Sequence, residues 1–281
     1  MYKQFLIKGL LSVVVLGWGL TGCSDSEPET PSGTQTTPTY PVVLSIDMAN
    51  ASFEGKSASA MLVKPSTGEV VAMVLAHPRH ALNTGGAKSI RLENVDCTGP
   101  SGSNSSSSVA VPAGSYRLYF MLDSNGAFNH QVPTSCEGIT DGSSGYITNA
   151  EFGAVVNVEV NGTTYVTLDQ TNVLSTTALD MNVATIPGAT FGLCVVFPEE
   201  VTPSYSAVGV SSLGMSLGTL TSGAGTLSGA MLPAGGYAIW CLGDTDGNLD
   251  LSSGDVTTSI LVGGISGAVA TVDLTSGWTV Y

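Results

Sequence analysis

Val111-Pro112-Ala113-Gly114-Ser115-Tyr116 returns 121 residues later as Leu232-Pro233-Ala234-Gly235-Gly236-Tyr237, and this repetition constrains the fold more than any other feature. Other matches follow in the same order. Ser45-Ile46-Asp47-Met48 aligns with Ala178-Leu179-Asp180-Met181, and Met61-Leu62-Val63-Lys64-Pro65 with Cys194-Val195-Val196-Phe197-Pro198, both at an offset of 133. Val166-Thr167-Leu168-Asp169 closes one copy as Ala270-Thr271-Val272-Asp273 closes the other. Chance explains one such match easily but four in one order poorly, so the chain carries an internal duplication. The drop in offset marks an insertion in the first copy, where Cys97 to Ser108 is a Gly/Ser-rich loop.

Each copy reads as strands. Tyr116, Leu118, Phe120 and Leu122 alternate with Arg117, Tyr119 and Met121, and Val156, Val158 and Val160 alternate with Asn157 and Glu159. Asn161-Gly162 then offers a tight hairpin turn. No long stretch has helical periodicity with caps. Short strands at regular spacing within about 110 to 130 residues per copy predict an all-β chain of two tandem sandwiches. A single large sandwich or barrel spanning both copies is the alternative. On the repeated strand, Tyr116 and Tyr237 are expected in the core. Tyr119 and Trp240 point to the other face, which is either a binding surface or covered.

The N-terminus has a different character. Lys3 and Lys8 precede an apolar run from Gly9 to Leu20, too short for a convincing membrane span and ending in small residues, as a secretory signal does. Leu20-Thr21-Gly22-Cys23 resembles a bacterial lipoprotein box. That resemblance implies cleavage before Cys23, acylation of Cys23, and firm anchoring by several chains where one would be marginal. Ser24 is compatible with outer-membrane sorting, and Asp25, Glu27 and Glu29 favour surface display. Proline and hydroxyl residues up to Tyr40 form an extended tether. The expected division is therefore a signal at 1–22, lipidated Cys23 with its tether at 23–40, and sandwich repeats at 41–171 and 172–281.

Charge narrows the partners. The formal net charge is −14, and −16 once Lys3 and Lys8 are removed. Arg117 is the last Lys or Arg, and the 164 residues after it hold 14 Asp or Glu. Neutralising phosphates takes Lys and Arg, so nucleic acid is excluded as a partner. Adhesion to an anionic lipid face is excluded apart from the anchor. Cations and cationic partners are favoured, although the acidity also serves solubility alone.

With Cys23 committed to lipid, Cys97, Cys136, Cys194 and Cys241 remain, an even number suited to an oxidising compartment. The expected pairs are Cys97–Cys136 and Cys194–Cys241. The repeat places Cys194 opposite Met61 and Cys241 opposite Phe120, so a bridge there would tie an early strand to a late one across the sandwich.

Asp244-Thr245-Asp246-Gly247-Asn248-Leu249-Asp250, followed by Gly254-Asp255, gathers four carboxylates within twelve residues. Such a set repels itself unless solvated or metal-bound. Calcium takes six to eight oxygens, often from positions one, three, five and twelve of a loop, here Asp244, Asp246, Asn248 and Asp255. The pattern resembles calcium loops of the Asp-x-Asp-x-Asn kind, although Gly247 stands at position four, Asp255 replaces a glutamate and no helix pair flanks it. The candidate ligands are Asp244, Asp246, Asn248, Asp250 and Asp255, and a solvated Asp/Gly turn is the other reading. In the first copy the equivalent Asp123 to Asn129 has lost most of this charge.

No catalytic constellation is recognisable. His77 and His80 flank Pro78 in what reads as a surface loop, and the second copy has no histidine. No phosphate cradle with its lysine is present. Glu199 and Glu200 are adjacent, so on a strand they would point to opposite faces. No catalytic residues are assigned, and the chain is not expected to be an enzyme; a hydrolase stands last among the readings.

The Leu-Pro-Ala-Gly-x-Tyr strand with its Asp/Gly/Asn loop resembles bacterial extracellular sandwich domains of transthyretin-like or carboxypeptidase-regulatory-like type. The match covers about twenty residues per copy. It implies stalks, binding modules or adhesin segments, and hence a non-catalytic envelope lipoprotein that binds an unknown protein or glycan or acts as a spacer, with calcium as its one candidate cofactor. A lipidated precursor with two such sandwiches also resembles fimbrillin-type pilins, making a polymerising subunit the alternative. Those pilins are commonly cleaved after a basic residue near the first strand, and here no Lys or Arg lies between Cys23 and Lys56.

Overall fold

The computed structural model describes residues 37–47, 57–76, 88–91, 93–95, 106–108, 110–123, 151–169, 171–184, 186–207, 212–248 and 251–281. Cys23, Cys97, Cys136, Asp250, all three histidines and the loop from 124 to 129 lie outside them. The protein is all-β. Its first strands are β1 (Thr39–Asp47), β2 (Ser57–Lys64), β3 (Glu69–Ala76), β4 (Lys88–Arg91), β5 (Glu93–Val95), β6 (Ser106–Ser108) and β7 (Ala110–Pro112). Next come β8 (Gly114–Asp123), β9 (Phe152–Val160), β10 (Thr164–Asp169) and β11 (Leu174–Ser175). The remainder are β12 (Thr177–Val183), β13 (Phe191–Pro198), β14 (Gly214–Thr219), β15 (Gly225–Leu232), β16 (Gly235–Asp244), β17 (Val256–Ile265), β18 (Val269–Leu274) and β19 (Thr279–Val280). Among the described residues there is no α-helix, only a 3-10 turn at Tyr205–Ala207.

Strands up to β11 pair with one another and strands from β12 onward pair with one another. The pairing scheme recurs between these halves. β1 runs parallel to β10, and β12 runs parallel to β18, so the first strand of each half lies beside its last long one. β2 lies antiparallel between β3 and β8, as β13 does between β14 and β16. β8 continues to β9, and β16 to β17. The duplication legible in the sequence is thus repeated in the ladders.

The N-terminal half is a two-layer sandwich. One layer is β10-β1-β4, with β7 against the start of β1, and the other is β11-β9-β8-β2-β3. Leu44, Val111 and Leu168 from the first layer pack on Leu62, Leu118, Phe120, Leu122 and Val158 from the second. Alternation explains which residues face that core, because successive side chains on a strand point to opposite faces. The turn at Asn161-Gly162 differs from the expected hairpin. β9 pairs with β8, whereas β10 pairs with β1, so residues 161–163 carry the chain from one layer to the other. The apolar side of β10 requires this, since buried Leu168 belongs to the core beside Leu44.

In the C-terminal half one sheet rolls over itself, in the order β18-β12-β15-β14-β13-β16-β17-β19. β15 joins the two layers, pairing with β12 over most of its length and with β14 at Ser228↔Leu217. Gly229 beside this crossing has φ +137°, and a Cβ there would stand 3.0 Å from the Met215 carbonyl oxygen. Only glycine takes that corner without strain.

A second alternation sets how the halves meet. While Leu118 and Phe120 fill the N-terminal core, Tyr119 and Met121 point the other way and are 2% exposed. Together with Met61 and Val63 they belong to the same cluster as Val201, Leu232, Tyr237 and Ile239 of the C-terminal half. The part of the N-terminal sheet's outer face that carries Tyr119, Met121, Met61 and Val63 is therefore covered by the other half and is not a free binding surface. Each such side chain contributes about 1.5–3 kcal/mol when fully buried.

Candidate metal site, seam and disulfide

The acidic loop grows from the end of β16. Asp244 closes that strand and is fully buried, its Oδ1 accepting the backbone N–H groups of Asp246 at 3.2 Å and Gly247 at 2.7 Å. This Asx-type turn needs φ +77° at Gly247, where a Cβ would meet nothing, so glycine is present for conformation and not for space. Asp246 accepts from the Asn248 backbone N–H at 3.0 Å and from its side-chain amide at 2.8 Å, and it shares the Ser252 hydroxyl, 3.0 Å away, with Asp255.

Asp255, also fully buried, holds the loop's far end. Its Oδ1 accepts the Thr245 N–H at 2.9 Å and hydroxyl at 3.0 Å; its Oδ2 accepts the Ser252 N–H at 2.8 Å and hydroxyl at 3.0 Å. Burial pushes the Asp255 carboxyl up, but these bonds outweigh it and leave the pKa below the ordinary value. Tyr281 clasps the same place, donating to the Asp255 carbonyl at 2.8 Å and accepting from Gly254 at 3.2 Å.

Of the five candidate ligands, Asp244, Asp246 and Asp255 bring carboxylate oxygens within 4.8 Å of one another. Asn248 sits beside them through Asp246. Hard carboxylate oxygens converging in a copy that holds no Lys, Arg or His fit a divalent hard cation. The dense set of N–H and O–H donors shows that the loop is also built to order itself.

The seam between the halves is a second polar site, and sequence reasoning missed it. Glu199 and Glu200 follow β13 in a turn closed by Val201 N–H to the Pro198 carbonyl at 3.0 Å. A turn lets adjacent carboxylates face the same way, which a strand would forbid. Both meet Arg117, with Nη1 2.6 Å from Glu200 Oε1 and 3.4 Å from Glu199 Oε2. The Glu200 side chain is 7% exposed and the Arg117 side chain 27%. Tyr119 donates to Glu200 Oε2 at 2.8 Å and leans on the Tyr237 ring, centroids 6.2 Å apart. Burial, then the hydrogen bond to Glu200 and its charge, drive the Tyr119 pKa well above the ordinary tyrosine value despite Arg117. The one available signal was a lone arginine in an apolar strand facing an otherwise base-free second copy.

Cys194 and Cys241 form a disulfide with Cα atoms 4.1 Å apart. They are direct cross-strand partners on β13 and β16, so the bridge joins neighbours within one layer and does not cross the sandwich. Early and late strands of each copy are sheet neighbours, and that places the pair side by side. The register differs by one residue from the sequence alignment, since Phe120 pairs with Ala60 and not Met61. Trp240 is 6% exposed and packs against Tyr205, centroids 5.7 Å apart, so its face is covered as well. A shallow cleft of about 250 Å³ opens beside Tyr116, lined by Lys64, Glu69, Val70, Val111 and Pro112 among others.

No protein-family model matches the chain, and no curated protein matches its sequence. Among solved structures it is similar to a candidate cell adhesion protein from Bacteroides fragilis, at 13% identity over 87% of this chain and 96% of that one, TM-score 0.28. It is also similar to a minor pilin of Streptococcus agalactiae, at 12% identity over 84% of this chain and 95% of that one, TM-score 0.28. A candidate cell adhesion protein from Bacteroides ovatus gives 11% identity over 88% and 96%, TM-score 0.25.

Proposed function

We propose that the chain is a non-catalytic cell-envelope lipoprotein, anchored through Cys23 and held off the membrane by the tether, that presents two β-sandwich modules, 41–171 and 172–281, for adhesion, ligand binding or spacing. The observation that carries this reading is what the buried ionisable groups do. Arg117, Glu200 and Tyr119 are engaged with one another across the seam, and Asp244 and Asp255 hold the acidic loop. Tyr116 and Tyr237 hold the turns before their strands. These groups build a rigid body. The cleft beside Tyr116 is smaller than the roughly 300–1,000 Å³ usual for small-molecule sites, so a protein or glycan partner would be met by an exposed surface.

In the same reading, Asp244, Asp246 and Asp255, with Asn248 beside them, hold a calcium ion that stiffens the loop. The anchor lies in the outer membrane with the modules on the cell surface.

The test is fractionation of native cells with and without Cys23→Ala, combined with proteinase treatment of intact cells and unheated gels. Loss of membrane association in the variant, with a single protease-accessible band near monomer mass, is expected. Unchanged association would overturn the anchor, and a heat-sensitive ladder would replace the individual lipoprotein with a polymerising subunit.

A further inference from the structure

We infer that the seam is a locked joint, in which Arg117, Glu199, Glu200 and Tyr119 select one docking of the C-terminal half on the N-terminal sheet, so that the two halves move and unfold as one body. The inference holds whether or not the chain is anchored, and whatever it binds.

Three independent features of the seam support it. The first is apolar. β8 and β2 each feed two cores, with Leu118, Phe120 and Leu62 serving the N-terminal one and Tyr119, Met121, Met61 and Val63 the shared one. An undocked N-terminal half would put those last four side chains into water.

The second is close fit at two glycines of the N-terminal half. A Cβ at Gly68 would stand 2.2 Å from the Glu200 carbonyl oxygen, and one at Gly153 2.4 Å from Pro233 Cγ. Backbone approaches this close tolerate neither a slide nor a rotation, because packed interfaces are not continuously deformable.

The third is charge. Apolar contact is non-directional and would permit several dockings. A half-buried guanidinium is strongly disfavoured wherever it lacks its partners, and the best-attested use of such buried polar groups is to fix one arrangement among several. Here the two carboxylates sit side by side on one turn, and the Tyr119 hydroxyl takes the Glu200 oxygen that Arg117 leaves. Any other docking would leave Arg117 unpaired against an apolar sheet.

Calorimetry and small-angle scattering on the protein from Cys23 to Tyr281 test this. The parent is expected to give one cooperative transition and a scattering curve fitted by a single interdomain arrangement. Arg117→Glu, which sets three carboxylates together, is expected to split the transition in two and broaden the scattering. Arg117→Glu with Glu200→Arg is expected to restore the single transition. Two transitions in the parent would overturn the inference without any variant. If Arg117→Glu does not fold, Arg117→Gln serves in its place: a split or broadened transition supports the lock, and a single transition with parental scattering overturns its polar selection.

Discussion

Tyr116 and Tyr237 occupy the same place in the two halves: each donates its hydroxyl to the carbonyl of the proline four residues earlier, at 2.8 Å to Pro112 and 2.6 Å to Pro233. The repeated Pro-Ala-Gly-x-Tyr motif is thus a device that folds the strand's approach back onto its own ring. Tyr237→Phe and Tyr116→Phe each keep the ring and orphan a carbonyl. The expected cost is about 1–2 kcal/mol apiece. The loss should be larger at Tyr237, where the bond is fully buried, and urea denaturation of both variants measures it. Equal stability to the parent would remove the motif's structural role.

The Cys194–Cys241 bridge makes a prediction of a different kind. Both residues are fully buried, so reductant reaches them only through unfolding. Closing a loop of 47 residues restricts the unfolded chain by roughly 4 kcal/mol at most in the entropy model. Cys194→Ala with Cys241→Ala should therefore lower the unfolding free energy measured in urea, with the loop-closure part of the loss no larger than that figure. In the parent, dithiothreitol under native conditions should leave the pair intact on the timescale that reduces an unfolded control.

Much of this was legible in sequence, and the failures share a cause. Periodicity two along Tyr116 to Leu122 gave the strand, and the recurring Pro-Ala-Gly motif gave the duplication, because both are local. Partners in space are not. Asn161-Gly162 looks like a hairpin turn until β10 is seen beside β1, and Glu199-Glu200 looks like a strand pair until Pro198 ends the strand. The Cys194–Cys241 pairing was readable from the repeat, but its position within one layer required knowing that β13 and β16 are neighbours. The acidic loop was visible from composition. The seam was not, because its members come from positions 117, 119, 199 and 200 and no local pattern joins them.

Acid should loosen the C-terminal half through Asp255. Its folded pKa lies below the ordinary carboxylate value of 3.8, so the stability it contributes is present above that value. That stability is lost as pH falls through the lower, folded value. Asp255→Asn keeps the shape but weakens acceptance from Thr245 and Ser252. The variant should be less stable than the parent at neutral pH and flatter on the acid side. Urea midpoints measured from neutral to acid pH give both slopes.

Calcium acts on the same loop. If Asp244, Asp246 and Asp255 share an ion, millimolar calcium raises the melting temperature of the parent, and Asp246→Ala abolishes the rise. Asp246 is the right residue to change because it is the exposed member of the three and closes no strand. An identical melt with and without calcium would leave the loop as a self-ordered turn, held by its own hydroxyl and N–H donors.

Alkali should act on the seam. Tyr119 and Tyr237 are both held above the ordinary tyrosine value of 10.0, each chiefly by burial. Glu200 then adds to the shift at Tyr119, while Tyr119 and Glu199 add to it at Tyr237. A phenol that keeps its proton longer when folded contributes stability that is complete below the unfolded value. That contribution declines as pH rises from 10.0 towards the folded values, because the unfolded chain then releases protons that the folded one retains. Unfolding free energy should therefore fall with rising pH above about 10. Tyr119→Phe should be less stable at neutral pH, having lost its bond to Glu200, and should show a shallower alkaline decline. If the alkaline slopes of parent and variant coincide, Tyr119 is not the group that couples the seam to pH.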